Sequence, residues 1–258
     1  MRTWKDEVVR YQATVQRILD AALQDLDFPP HMPPLPVDPT IPSSPFTSWC
    51  YRAFIFYQLG SVSRTRETIE SIRILLSEGY LSAAAPLIRL VFEVHAITNY
   101  LTETMKGLLE LVRIPEDRRS KEETNHYLRQ IDRVFEGVRS PVIMPRGEEA
   151  SETPIHIRGA IRLLYSQEAE NDYDFLCEGS HPNLPQYMQW QLAGKLGDNW
   201  SNDVAREHCH ALLTRSFEIL EDSTRKLREN VLTGVDCCDS IEKEMLSKSI
   251  QPTRYTRG

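Results

Sequence analysis

Glycine is scarce in this chain. Its 258 residues hold 11 glycines, against 30 Lys and Arg and 37 Asp and Glu. A chain so poor in the residue of tight turns favours helices over sheets. Long apolar runs are missing too. None reaches the roughly 18 residues that a bilayer span requires, and the opening MRTWKDEVVRYQ has no apolar core of a signal peptide. The expected location is the cytoplasm, with no membrane partner. Cysteine is sparse and odd in number: Cys50, Cys177, Cys209, Cys237 and Cys238. That excludes a disulfide framework, and adjacent Cys237 and Cys238 suit neither a zinc knuckle nor a CxxC redox motif, so all five are expected reduced and mostly packed. No GxGxxG, P-loop, GxSxG or CxxC occurs, which removes the common nucleotide, hydrolase and zinc signatures. An excess of positive charge is also absent. A net charge of −7 makes the chain a poor candidate for sequence-independent coating of nucleic acid but leaves room for a local basic groove.

What is present is helical periodicity. Trp4, Val8, Tyr11, Val15, Ile18, Ala22 and Leu26 recur at steps of three and four, which predicts an amphipathic helix over 1–27 with Thr3 as its cap. The segment 28–45 carries half of the 16 prolines and cannot be helical; it reads as a semi-rigid polyproline strap. A bundle domain is expected over 46–232. Its helices run from Phe46 to Glu78, with Gly60 as a bend or close crossing, and from Ser82 to about Glu103. Shorter helices follow from Met105 to Val112, from Ser120 to Gly137 behind a capping box, from Ile155 to Ser166, and from Asn171 to Ser180. A loop over 140–154 and an irregular strap over 184–201 interrupt them, and the last long helix spans Asp203 to Leu232. A weaker helix and a frayed tail fill 233–258. The fold class is therefore all-α: a single bundle of six to eight helices.

One stretch stands apart. Ala83 to Tyr100 is apolar round most of a helix, with Leu87, Leu90, Val91, Phe92, Val94 and Ile97, except for one stripe carrying Arg89, Glu93, Ala96 and Tyr100. Arg89 and Glu93 stand four apart and can pair. On a buried helix they form either an internal ion pair, joined by Tyr100 in a structural network, or the floor of a cleft. Farther on, Tyr173, Cys177 and Ser180 share a helical face, and His181 follows at the helix end before Pro182 and Asn183. His181 there is either a proton carrier or a cation at a helix C-terminus. Arg206 and His210 share a helical face, but the possible ligands His208, Cys209 and His210 lack the i, i+4 spacing of helical zinc ligands, so no metal and no cofactor is expected.

These residues carry a resemblance. Small residues followed by R-x-x-x-E in an apolar helix, Ala83 to Ala85 and then Arg89 and Glu93, resemble an uncharacterised bacterial family of helical proteins. Its later Tyr/Leu/Ser/His signature is loosely matched by Tyr173, Leu176, Ser180, His181 and Pro182. That family looks like a branch of the HEPN group, helical domains common in toxin and antiviral systems. HEPN ribonucleases resemble one another by R-x(4–6)-H, whose Arg and His meet across a dimer and cleave RNA without metal. Arg89 and His95 fit the spacing, but Leu90 stands where a polar residue is usual, and His95 lies about 120° round the helix from Arg89. The resemblance implies an RNA- or nucleotide-directed protein of defence or toxin type and a homo-oligomer. Arg89, Glu93 and His181 would be its catalytic residues, and Tyr100, Tyr173, Ser180 and Asn183 would bind. The other expectation is a non-enzymatic interaction subunit with a structural Arg89–Glu93 pair. A metal-dependent hydrolase built on Glu93, His181, His208 and His210 comes third.

Overall fold

The computed structural model describes residues 4–27, 45–78, 81–115, 118–136, 156–164, 167–180 and 203–249. Among them are seven α-helices and no strand. They are α1 (Trp4–Asp25), α2 (Pro45–Ser77), α3 (Leu81–Arg113), α4 (Lys121–Glu136), α5 (Ile157–Arg162), α6 (Gln167–Ser180) and α7 (Asp203–Ser249). The fold class is all-α. No described helix is long and apolar enough to cross a membrane. The proline strap, the loop over 140–154 and the irregular segment over 184–201 lie outside the described residues, although Pro45 opens α2 at a position where its missing N–H costs nothing.

The chain divides into two compact units. The first comprises Met1–Pro29, Leu59–Asn99 and Ile157–Glu229; the second comprises Pro30–Gln58, Tyr100–His156 and Asn230–Gly258.

In the first unit, α1 buries Val15, Ile18, Leu19, Ala22 and Leu26 along one stripe, as the spacing predicts. Arg66 of α2 donates Nη1 to the Leu26 carbonyl (3.2 Å) and to Asp27 Oδ1 (3.0 Å), so a cation satisfies the C-terminal end of α1. Glu70 pairs with Arg73 one turn along α2. Gly60 is exposed, and no atom lies within 4 Å of where a Cβ would stand, so it marks no close crossing. α5 and α6 pack as antiparallel partners. Arg158 meets Asp174 (2.8 Å) and Arg162 meets Glu170 (3.0 Å); residues four apart on one helix pair in reverse order with residues four apart on the other.

The second unit is built on Leu101, Met105, Leu108, Leu109 and Val112 of α3, Ile131 of α4, and Cys237, Cys238 and Ile241 of α7. Ser120 caps α4, accepting from the Glu123 backbone N–H (3.2 Å). Gly107 lets Tyr127 of α4 lie directly against α3, where a Cβ would overlap the phenol ring.

Two helices run longer than expected. α3 does not break between Glu103 and Met105: no Pro or Gly stands there, and Thr104 folds its hydroxyl back onto the Tyr100 carbonyl (2.8 Å) within an unbroken helix. α7 does not stop at Leu232 and spans 47 residues. Gly234 alone costs about 1 kcal/mol in a helix interior. Burial of Val231, Cys237, Cys238 and Ile241 on either side offsets it. Conversely, α5 is shorter than expected, ending in a turn at Leu163 and Leu164. α6 begins four residues early, at Gln167, where Glu168 and Glu170 suit the positive end of the helix dipole.

Candidate functional site

The charged stripe of α3 meets α6 in the first unit. Arg89 Nε donates to Glu93 Oε1 at 2.8 Å, the i, i+4 pair that the sequence allows. The Tyr173 hydroxyl donates to the same Glu93 oxygen at 3.3 Å and accepts from Arg89 Nη2 at 3.3 Å, closing a triangle between residues about 80 apart in sequence. Tyr173 is 5 % exposed, while the Arg89 and Glu93 side chains keep 26 % and 24 % of their surface. The polar heads are therefore in reach of solvent, and the ring is not. Phe92 stacks on that ring with centroids 6.3 Å apart, and the Arg89 guanidinium carbon lies 5.4 Å from the ring centre.

α6 is held in place from three helices. Besides Arg89 on α3 and the two arginines of α5, Arg215 of α7 donates to Asp172 Oδ1 at 2.6 Å. Burial raises the Asp172 carboxyl, although Arg215 opposes the shift. These pairs, with the buried Tyr173 ring, set the face that α6 turns toward Glu93.

The electrostatics assign the roles. Burial, the hydrogen bond with the Cys177 thiol and the Glu93 charge push the Tyr173 phenol up to about 12, with Arg89 pulling the other way. At neutral pH this hydroxyl keeps its proton and is a donor, not a base. For Arg89, burial acts to lower the pKa, but the hydrogen bond and charge of Glu93 outweigh it and hold the guanidinium above its ordinary value. The site offers a permanent cation, held in one orientation by a carboxylate and a phenol.

The other sequence-predicted residues are distributed differently. Tyr100 is not joined to the pair. It lies two turns along α3 in the second unit, 6 % exposed, its buried hydroxyl without a hydrogen-bond partner. Ser180 donates to the Leu176 carbonyl of its own helix at 2.6 Å, which is the usual resting place of a serine in a helix. His181 and Asn183 lie outside the described residues, and so do the side chains of Arg206, His208, Cys209 and His210. Among the described residues no three His, Cys, Asp or Glu side chains gather to hold a metal. His95 is 3 % exposed, set edge-on to Phe92 with 6.2 Å between ring centres; burial, reinforced by the charge of Lys226, lowers it to about 4. It is a neutral core histidine and no proton carrier.

One residue was missed. Arg158 of α5 places its guanidinium carbon 5.8 Å from the Tyr173 ring centre, a second cation on the same aromatic. The signal was the spacing of Arg158 and Arg162, which matches Asp174 and Glu170 on α6 in reverse. Compared with protein-family models, with curated proteins and with solved structures, the chain matches none of them.

Proposed function

We propose that this is a HEPN-like helical protein of defence or toxin type, directed at RNA or a nucleotide through the Arg89–Glu93–Tyr173 triangle. The observation that supports it is a guanidinium fixed by two partners yet left a quarter exposed. That exposure spares the pair part of its desolvation cost and also leaves an already oriented cation in reach of a phosphodiester, whose transition state such a cation stabilises. In this reading Arg89 stabilises phosphate charge, Glu93 and Tyr173 orient it, and His181, one residue beyond α6, moves the proton of the ribose 2′-hydroxyl. No metal takes part in the step.

A second reading has an observation of its own. The Glu93 carboxylate answers the Arg89 charge in full, so the triangle also works as a strut between α3 and α6. The chain would then be a non-enzymatic subunit that pairs with itself or with a partner protein.

A cleavage assay separates the two. With chelator present, the wild-type chain is expected to cut single-stranded RNA to products ending in a 2′,3′-cyclic phosphate, and His181→Ala to cut at least about 100-fold more slowly. Absence of any cleavage by folded wild-type protein would leave the interaction reading in place of the nuclease.

A further inference from the structure

We infer that Glu93 is the residue by which this site selects ribose: its second oxygen, Oε2, accepts a hydrogen bond from the 2′-hydroxyl of a nucleotide whose phosphate lies on the open end of the Arg89 guanidinium. The inference rests on the reading above for its ligand class and goes beyond it by naming the sugar and the residue that reads it.

The triangle uses only part of each charged group. Nε and Nη2 form one edge of the Arg89 guanidinium, and that edge is filled by Glu93 Oε1 and the Tyr173 hydroxyl. Nη1 and the outer N–H of Nη2 form the end fork, which meets no other group of the chain. Glu93 is used just as unevenly. Oε1 accepts from both Arg89 and Tyr173, while Oε2 accepts from no group of the chain. Neither Arg89 Nη1 nor Glu93 Oε2 is among the buried polar atoms that lack a partner, so both reach solvent. They belong to side chains in contact at 2.8 Å, so one nucleotide can span them. Leu90 and Ile97 stand three residues before and four after Glu93 and are only partly covered. They give the carbon face of a sugar an apolar surface beside the free oxygen.

The two open groups make different demands. A guanidinium fork with two parallel donors suits a phosphate. The carboxylate beside it repels that phosphate, the more so once a ligand displaces water. A donor seated between the phosphate and Oε2 removes the conflict. A ribonucleotide carries such a donor next to its phosphate, the 2′-hydroxyl, whereas a deoxyribonucleotide leaves Oε2 facing the phosphate without one. A carboxylate on the ribose 2′-hydroxyl is also how dinucleotide sites hold their sugar.

The test is calorimetric binding of ribonucleoside 3′-monophosphates, and of their 2′-deoxy and 2′-fluoro counterparts, to the full chain. The wild type is expected to bind the ribonucleotide about tenfold more tightly than either counterpart, the effect of one charge-assisted hydrogen bond. The 2′-fluoro sugar keeps the ribose pucker but cannot donate, so it separates the hydrogen bond from sugar shape. In Glu93→Gln the amide oxygen stays on Arg89 Nε and an N–H takes the place of Oε2. That variant is expected to bring the three ligands within about twofold of one another and to bind the deoxy form more tightly than the wild type does, because the repelling charge is gone. A purely structural Glu93 produces neither result. Wild-type protein that binds the three ligands alike, or binds none at millimolar concentration, overturns the inference, and that comparison depends on no variant folding. A folded Glu93→Gln that keeps the ribose preference overturns it as well. If RNA is cut in an Arg89-dependent way while the three ligands bind alike, the inference falls and the RNA reading stands. If the ribose preference follows the expected pattern while RNA is not cut, selection by Glu93 stands and the nuclease reading falls.

Discussion

Acidification from about pH 7 to about pH 4 is expected to remove up to about 3 kcal/mol of folding stability through one residue, His95. The imidazole is buried at 3 % exposure, its Nδ1 has no hydrogen-bond partner, and Lys226 adds like charge nearby. The native state therefore holds it neutral down to about 4, while the unfolded chain protonates it near the ordinary 6.5. The stability this provides is complete above 6.5 and falls away as pH drops toward 4. Asp172 works in the opposite direction, because burial raises its native carboxyl. The informative comparison is thus with a variant rather than with the pH curve alone. Urea unfolding at about pH 7 and about pH 4.5 should show the wild type losing more stability than His95→Gln; equal losses would mean that His95 does not titrate on unfolding.

Arg89→Ala is expected to lower RNA affinity or cleavage about 100-fold, the usual effect of deleting a preorganised charge at a phosphate. Its cost to stability is smaller, about 1–2 kcal/mol, because Glu93 keeps a quarter of its surface in water and still accepts from Tyr173. Circular dichroism and thermal unfolding measured on the same preparation separate the two effects. A variant that binds RNA like the wild type but melts several degrees lower would identify the triangle as a strut.

Much of this was legible in the sequence, for local reasons. The stripe of α1, the Ser120 cap and the i, i+4 pairing of Arg89 with Glu93 follow from helical geometry and short-range hydrogen bonds. The continuity of α3 through Glu103 and of α7 through Gly234 did not follow. Propensity there is weak, and burial on either side decides it. The shared face of Tyr173 and Cys177 could be read, but not that Glu93 would share its carboxylate with that phenol, because helix order in sequence does not fix which faces meet. Tyr100 shows the converse: it is on the right stripe by angle, yet two turns along and in the other unit. Arg158 was obscured by the brevity of α5, six residues with only Ala160 and Ile161 buried, too few for periodicity to announce a helix.

The most direct measurement is RNA binding and thermal unfolding of Arg89→Lys beside the wild type. Lysine keeps the charge but cannot give Nε to Glu93 and Nη2 to Tyr173 at once. If the triangle exists to orient a cation for phosphate, RNA affinity falls about tenfold or more while the melting temperature stays close to that of the wild type. Unchanged RNA affinity together with a clear loss of stability would contradict it and leave Arg89, Glu93 and Tyr173 as the strut between α3 and α6.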